Sequence, residues 1–207
     1  MLIVKVKICG ITNYEDAQAA IDMGADMLGF NFYPESPRYI EPEKAGEIIS
    51  KLPAFTDIVG VFVNSKLKNI LETISCCQLN WVQLHGDEEP KFCESFHSLN
   101  IKTMKAIRVR KEDDLKQTEK YFTDAILLDA YHPQKYGGTG FPFDWKIIGH
   151  MEKRIFLAGG INPENAAAAI ELGVYGIDIC SGIEEKPGKK DHKKMKMLFD
   201  NIYHLRA

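Results

Sequence analysis

The sequence predicts an α/β fold in which one (β/α)8 barrel, the TIM-barrel architecture, spans residues 1–207 as a single domain. Short apolar runs alternate with helical patterns along the whole chain and form eight strand–helix units. The runs are apolar on both faces, which is typical of parallel strands covered by helices. The main alternative, an open doubly wound sheet, is disfavoured because the turn at residues 9–12 lacks the GxGxxG pattern.

Eight runs rich in aliphatic and β-branched residues, bounded by polar or turn-forming residues, predict the strands. The first run ends beside Gly10, which permits a tight exit toward a helix. Each later run follows a helical pattern, as a parallel barrel requires. The predicted strands cover residues 4–11, 27–33, 57–63, 81–85, 103–109, 125–130, 154–159 and 176–181.

Eight helical patterns separate and follow these strands. Thr12 or Asn13 is the expected N-cap of the first, and Asp144 is expected to cap the sixth rather than to act in catalysis. Pro163 lies in the first turn of the seventh, where proline is favoured. The predicted helices cover residues 14–23, 43–51, 67–76, 89–96, 112–121, 144–151, 163–172 and 191–203.

Charge and cysteine content restrict the expected partners. The formal net charge of −3 disfavours nucleic acid, whose phosphates attract basic surfaces. Lys5 and Lys7 interrupt the first apolar run, so we expect neither a signal peptide nor a membrane partner. Five cysteines without CxxC spacing predict reduced thiols and a cytoplasmic location, and six scattered histidines predict no metal site. The Lys-rich segment 186–196 is expected to be a solvated loop and helix start.

Polar residues occupy the predicted strands mainly near their carboxyl ends. Where a strand carries two of them, they stand at alternate positions, and alternate side chains point to the same face of a strand. The other face is aliphatic and suits the helix layer. The polar face therefore lines the barrel interior and its carboxyl-terminal mouth, where barrel active sites lie. The positions are Lys7, Cys9, Gln83, His85, Lys105, Asp129, Asp178 and Cys180.

An internal ion-pair network is one explanation for part of this set. Lys7 and Asp178 are expected to meet when the first and last strands pair, and Lys105 suits a similar role. Cys9 and Asp129 stand at strand ends and are candidates for chemistry, although a free cysteine is more often a packing residue. For His85 two roles stay open, orientation of a ligand hydroxyl or a hydrogen bond to a neighbouring loop.

Glycine-containing segments follow the last three predicted strands. Glycines let backbone N–H groups approach an anion, and loops after the last two barrel strands are the usual phosphate position. Gly159 and Gly160 follow the seventh strand, and Ser181 and Gly182 follow the eighth, so we predict a phosphoester ligand there. A third cluster lies at residues 137–140. Any one of these clusters is also compatible with an ordinary turn.

The loop after the second strand contains a candidate anion ligand, Arg38. A guanidinium can hold a carboxylate or a phosphate through two parallel hydrogen bonds. Most arginines are solvated surface residues, but Pro34 and Pro37 stiffen this loop and favour a positioned side chain. Arg38 is therefore included in the predicted site.

Several short motifs are distributed along nearly the whole chain. They are VKICGIT at 6–12, SPRY at 36–39, GVFVN at 60–64, VQLHG at 82–86, LLD at 127–129, GGTG at 137–140, FDW at 143–145 and LAGGI at 157–161. With these motifs in this order, the chain resembles the phosphoribosylanthranilate isomerase family. The combination is highly specific.

The resemblance implies an intramolecular aldose–ketose isomerase of tryptophan biosynthesis. Its reaction is the Amadori rearrangement of N-(5-phosphoribosyl)anthranilate to 1-(2-carboxyphenylamino)-1-deoxyribulose 5-phosphate by general acid–base catalysis. It implies Cys9 as the general base, Asp129 as the general acid and Arg38 as the ligand of the anthranilate carboxylate. In the family the last two strand-end loops bind the phosphate. The polar residues at the strand ends add His85 and Asp178 to the predicted substrate site.

The resemblance also implies a reaction without a cofactor, because the amine of the substrate itself forms the iminium electron sink. The oligomeric state is left open between monomer and homodimer. Cys180 departs from the family, which usually has a serine before Ser-Gly. This difference concerns the affinity for phosphate rather than the reaction.

Two alternatives remain at this point. A related phosphosugar enzyme, such as indole-glycerol-phosphate synthase, is expected to need a lysine acid and an additional N-terminal segment, whereas this sequence begins at the first strand. A non-catalytic phosphate-binding barrel accounts for the fold and the glycine loops. It gives no reason for Cys9, Asp129 and Arg38 to occur together at the mouth.

Overall fold

Eight parallel strands, taken in chain order, close into a barrel and confirm the predicted fold class. This computed structural model describes residues 4–130, 144–149 and 151–206. The first and last strands pair directly, with Lys7 opposite Asp178 and Ile8 opposite Ile179. Each barrel strand therefore has two hydrogen-bonded neighbours, and none is left as an exposed edge.

Most strands end one or two residues before the predicted end, because the last residues of each apolar run leave the ladder and form the loops at the barrel mouth. The sixth strand has the predicted bounds. The barrel strands are β1 Lys5–Cys9, β2 Met27–Asn31, β3 Asp57–Phe62, β4 Trp81–Leu84, β5 Lys102–Val109, β6 Ala125–Ala130, β7 Ile155–Leu157 and β8 Gly176–Ile179.

In the described part of the chain six α-helices surround the barrel, and the first has the predicted bounds. Its N-cap is Asn13, whose side chain accepts a hydrogen bond from the Asp16 N–H at 2.8 Å. The helices are α1 Tyr14–Met23, α2 Pro42–Ile49, α3 Leu67–Cys77, α4 Pro90–Glu94, α5 Ala166–Glu171 and α6 His192–Ile202. Within the described part of the chain, no helix combines the length and apolar content needed to cross a membrane.

Two of the predicted helices are short 3-10 segments. The segment Glu112–Lys120 buries one residue, Thr118, so it has too little apolar surface to be held as an α-helix. The predicted helix at 144–151 is reduced to Trp145–Ile147. Its N-cap is Asp144 as predicted, since that side chain accepts a hydrogen bond from the Lys146 N–H at 3.1 Å.

A small hairpin, absent from the prediction, follows the barrel. Strand β9 spans Glu184–Lys186 and pairs with β10, Lys189–Lys190, in antiparallel orientation. The connecting Pro187 and Gly188 form the turn, and Gly188 has a φ of 79° that favours glycine. The first part of the Lys-rich segment is therefore an ordered strand pair rather than the expected solvated loop.

Apolar side chains form two separate cores that follow the alternation of the strands. Val6 and Ile8 point outward into the layer between barrel and helices. Met27, Val59 and Phe156 fill the barrel interior. This arrangement confirms that the aliphatic face packs against the helices. The polar positions of the same strands are left to the interior and the mouth.

Candidate active site

A cavity of about 290 Å³ opens at the mouth formed by the carboxyl ends of the strands. Its wall includes every residue predicted for the site except Gly182. Segments distant in the chain meet there because neighbouring parallel strands all end on the same side of the barrel. The predicted residues in the wall are Cys9, Arg38, His85, Asp129, Gly159, Gly160, Asp178 and Ser181.

A buried ion pair joins the closing strands beside this cavity. Lys7 Nζ lies 2.8 Å from Asp178 Oδ1, and the Lys7 side chain is completely shielded from solvent. The pairing predicted from strand parity is thus confirmed. Burial lowers the pKa of Lys7, but the negative charges of Asp178 and Cys9 outweigh burial and leave the pKa raised. Lys7 is therefore a permanent positive charge beside the Cys9 sulfur.

The Cys9 thiol is 8% exposed and faces the cavity. Gly29 provides its space, because a Cβ at position 29 would lie 2.8 Å from Cys9 Sγ and 3.1 Å from Lys7 Nζ. A hydrogen bond from the Cys180 thiol lowers the pKa of Cys9 well below that of an ordinary thiol. Burial opposes this change, while the charges of Lys7 and Lys190 add to it. The thiolate form of Cys9 is therefore more favoured at the cavity than that of an ordinary thiol.

Asp178 titrates close to neutral pH. Burial raises the pKa of this carboxyl group to about 7, Lys7 opposes the rise, and the negative charges of Cys9 and Asp129 add to it. The protonated form of Asp178 is therefore present in an appreciable fraction at physiological pH.

Asp129 is fixed in the cavity wall through both carboxylate oxygens. The Ala130 N–H donates to Oδ1 at 2.8 Å, and His85 Nε2 lies 3.1 Å from Oδ2. Gln83 Nε2 lies 2.8 Å from His85 Nδ1, and with the amide N–H as donor there, the N–H on Nε2 points to Asp129. His85 thus orients Asp129 in this structure, and its predicted contact with a ligand hydroxyl stays a prediction.

Arg38 is held by a carboxylate that the sequence reasoning missed. Arg38 Nε and Nη2 donate to Glu184 at 2.9 and 2.6 Å, and both side chains are buried. Burial raises the pKa of Glu184, but the hydrogen bond from Arg38 and the charge of Lys190 outweigh burial and lower it. A charged, two-point contact therefore fixes the guanidinium beside the cavity.

Lys190, the second missed residue, is a buried cation inside the Lys-rich segment. Its Nζ donates to the Cys9 carbonyl at 2.6 Å, to the Cys180 carbonyl at 3.3 Å and to Glu184 Oε1 at 3.1 Å. It thereby links the ends of β1 and β8. The signal available in the sequence was the dipeptide Pro187-Gly188, which is typical of a turn. Such a turn brings Glu184 and Lys190 opposite each other.

The two predicted phosphate loops lie side by side. Gly159 and Gly160 have φ values of 82° and 75°, which favour glycine, and they line the cavity together with Ser181. Gly182 lies behind the wall, where its Cα packs so closely on the Ile161 carbonyl that a Cβ has no space. The absence of a side chain at Gly182 allows the two loops to contact each other. Its predicted contact with phosphate stays a prediction.

Two further predictions concern a metal and the third glycine cluster. Across residues 4–130, 144–149 and 151–206, no three His, Cys, Asp or Glu side chains are grouped as metal ligands. Residues 137–140 lie outside the described part of the chain. Their proposed role as an anion-binding loop stays a prediction.

Comparison with protein families identifies the chain. The model of the N-(5'-phosphoribosyl)anthranilate isomerase family matches residues 6–201. The chain belongs to this family. It is accordingly an enzyme, and its activity is the family isomerisation in tryptophan biosynthesis, as the motifs predicted.

Relatives of known structure and sequence agree with this assignment. The isomerase of Citrifermentans bemidjiense is 47% identical over 197 residues, 94% of each chain. The crystal structure of the Thermotoga maritima isomerase has a TM-score of 0.89 at 42% identity and covers 97% of this chain and 99% of that one. A family member in complex with reduced 1-(o-carboxyphenylamino)-1-deoxyribulose 5-phosphate has a TM-score of 0.83 at 40% identity, with 97% and 99% coverage.

Replacement of Asp178 by Asn should change how stability depends on pH. Between about pH 4 and pH 7 the unfolded carboxyl is ionised while the folded one keeps its proton. The folded state then binds one more proton, so its free energy of unfolding falls as pH rises, by up to about 1.4 kcal/mol per pH unit. Urea unfolding of both proteins across this range measures the effect. The stability difference between wild type and Asp178→Asn should shrink as pH rises, and parallel curves contradict the assignment.

Replacement of Glu184 by Gln should destabilise the mouth of the barrel. The change leaves the buried cations Arg38 and Lys190 without their shared charge, a loss typically of about 3–5 kcal/mol in the free energy of unfolding. Glu185→Gln is the matched control, since Glu185 is exposed on the same hairpin and its removal should leave stability nearly unchanged. Urea denaturation measures the free energy of unfolding of both variants. Equal values for the two variants contradict a structural role for Glu184.

Proposed function

We propose that this cavity converts N-(5-phosphoribosyl)anthranilate to 1-(2-carboxyphenylamino)-1-deoxyribulose 5-phosphate by general acid–base catalysis. Cys9 is the base and Asp129 the acid. The observation that carries the proposal is that the Cys9 thiol and the hydrogen-bonded carboxyl group of Asp129 lie in the wall of one cavity. The lowered pKa of Cys9 supports its role as a base. An acid and a base on separate strands can act on two atoms of one sugar.

The first chemical step opens the furanose ring. Asp129 donates a proton to the ring oxygen while the lone pair of the substrate nitrogen moves toward C1′ and the C1′–O bond breaks. The product of this step is an open-chain iminium with the proton on the former ring oxygen. His85 and the Ala130 N–H support this step by holding the carboxyl group in one orientation.

The second step moves a proton away from carbon. The Cys9 thiolate removes the proton from C2′, and the electrons of that C–H bond move toward the iminium nitrogen, which gives an enolamine. Tautomerisation of the enolamine yields the ketone. Lys7 and Lys190 favour the thiolate before the transfer, so the base is ready in the resting enzyme.

Arg38 is proposed to bind the anthranilate carboxylate. Its Nε and Nη2 are directed at Glu184, so this contact fixes the plane of the guanidinium. A guanidinium has five N–H donors, and those on Nη1 are not engaged in that contact. Arg38 also borders the cavity, where a planar carboxylate can meet these donors.

The phosphate is proposed to bind at the adjoining loops that contain Gly159, Gly160, Ser181 and Gly182. Backbone N–H groups at such loops favour an anion without any charged side chain. The product analogue bound by a relative also carries a 5-phosphate. Cys180 offers sulfur where the family usually has a hydroxyl group. Backbone donors, which do not depend on this side chain, are expected to retain most of the affinity.

The oligomeric state is proposed from a relative, and the location is proposed from the free cysteines. The Thermotoga maritima isomerase is dimeric, and a homodimer or a monomer is proposed for this chain. All five cysteines are free thiols, which supports a reducing compartment, the cytoplasm.

Cys9→Ala should lower kcat by about 10²–10⁴, because proton abstraction from C2′ loses its base. Binding of the reduced product analogue should persist, since the alanine removes no substrate contact proposed above. The decrease in substrate fluorescence on conversion measures turnover. The matched control is Cys76→Ala, which removes an exposed thiol on α3 and should keep wild-type turnover. A Cys9→Ala enzyme with near wild-type kcat excludes Cys9 as the base.

Asp129→Asn should also lower kcat by about 10²–10⁴, because an amide cannot donate a proton to the ring oxygen. The amide oxygen can accept only one of the two bonds made by Asp129, from the Ala130 N–H or from His85. The side chain keeps nearly the same shape and volume, so the fold should be preserved, as circular dichroism can check. Asp113→Asn, an exposed change in the segment Glu112–Lys120, is the control. Normal turnover by a folded Asp129→Asn enzyme means that the proton comes from another group, with His85 the nearest.

A further inference from the structure

Two of the five cysteines meet at the closing strands of the barrel. Ile8 lies opposite Ile179, so the next residues on β1 and at the end of β8, Cys9 and Cys180, are neighbours. Cys180 Sγ lies against the backbone next to Cys9, because a Cβ at Gly10 would lie 3.0 Å from it. Both residues line the same cavity, and neither is in a disulfide. A small molecule that enters the active site therefore meets both sulfurs together.

We propose that Cys9 and Cys180 are a site of reversible covalent modification, at which a hydroperoxide converts the two thiols into a disulfide. The resulting loss of activity rests on the proposed role of Cys9 as the base. The formation of the bond does not rest on that role, because it requires only the two sulfurs and the oxidant.

Strand spacing and access are compatible with this bond. Adjacent strands lie about 4.7–4.9 Å apart, inside the Cα separation of about 4.4–6.8 Å found for disulfides. Hydrogen peroxide is small enough to reach thiols that line a cavity of about 290 Å³. Because both side chains line the same cavity, side-chain rotation can then bring the two sulfurs to bonding distance.

The two cysteines are suited to successive roles. The Cys9 thiolate attacks one oxygen of the peroxide, the O–O bond breaks, and hydroxide leaves, so Cys9 becomes a sulfenic acid. Cys180 then loses its proton to hydroxide and attacks the Cys9 sulfur, and a second hydroxide leaves as the S–S bond forms. In total, two thiols and one peroxide give one disulfide and two waters, with sulfur oxidised and peroxide oxygen reduced.

The charges around the pair favour this order. The Cys9 thiolate and burial raise the pKa of Cys180, so Cys180 stays a thiol until Cys9 reacts. Oxidation of Cys9 to a neutral sulfenic acid removes that negative charge. Lys190 Nζ, 4.0 Å from Cys180 Sγ, and the nearby Arg38 then favour the Cys180 thiolate, whereas Glu184 at 3.9 Å opposes it.

The remaining cysteines differ from this pair. Burial raises the pKa of Cys77 to about 12 and that of Cys93 to about 11, so both are unreactive thiols. Cys76 is exposed on α3 and can react with peroxide independently. The test therefore uses a Cys76→Ser background, in which this separate reaction is removed.

The experiment exposes the folded Cys76→Ser protein to hydrogen peroxide and then to dithiothreitol. Intact mass, peptide mapping and isomerase activity are followed in parallel. The matched control adds Cys180→Ser, which keeps a hydrogen-bond donor but no second sulfur. Each protein is compared with its own untreated activity, because Cys180 borders the active site.

With both cysteines present, we expect loss of two hydrogen atoms, a cross-linked peptide pair containing positions 9 and 180, and activity lowered about tenfold or more. Dithiothreitol should reverse all three changes. In the Cys180→Ser control, Cys9 should gain oxygen atoms, and the activity should not return after conversion to the sulfinic acid.

Oxygenation of Cys9 without a cross-link, to the same extent in both proteins, overturns the proposal. A cross-link between positions 9 and 180 that leaves activity unchanged supports the thiol pair and instead contradicts Cys9 as the base. The two proposals therefore fail by different observations.

Discussion

The ion pair between Lys7 and Asp178 is the interaction on which the rest of the site depends. It lies where the barrel closes, so the two charges are buried together only if β1 and β8 are paired in the correct register. A slip of β1 by one residue would turn Lys7 toward the helix layer and leave Asp178 in the barrel interior without its partner. The same register brings Cys9 beside Cys180. The pairing of β1 with β8 that closes the barrel thus also brings together the groups that lower the pKa of Cys9.

A second group of charges connects the mouth to the chain beyond the barrel. Glu184 accepts hydrogen bonds from Arg38 of the β2 loop and from Lys190 of the hairpin, while Lys190 holds the carbonyl groups of Cys9 and Cys180. The residues proposed to bind the substrate carboxylate and to act as the base therefore share one network. Ion pairs with this degree of burial contribute more to geometry than to net stability, because desolvation cancels most of their attraction.

Eight alternating strand and helix patterns were sufficient to predict the barrel. Strand parity predicted the Lys7–Asp178 pair and the strand residues of the cavity wall, because side-chain alternation is a local property of a strand. Local patterns did not reveal the role of Glu184 or Lys190. Their partners are Arg38, Cys9 and Cys180, and the pairing follows from a hairpin whose only local signal is one Pro-Gly turn. The α-helix predicted for residues 112–121 was wrong for another reason. Its charged residues suit a helix, but the segment Glu112–Lys120 buries too little apolar surface to hold one.

The position of the closing strands also has a consequence for synthesis on the ribosome. Cys9 is among the first residues made. Two groups that lower its pKa are Cys180 and Lys7, which is held by Asp178. They come into place only after β8 has been translated. Until then these contacts cannot lower the pKa of Cys9, so the nascent Cys9 is a less reactive thiol than the folded one. A chain released before β8 lacks both Asp178 and Cys180, and with them the contacts that favour the thiolate.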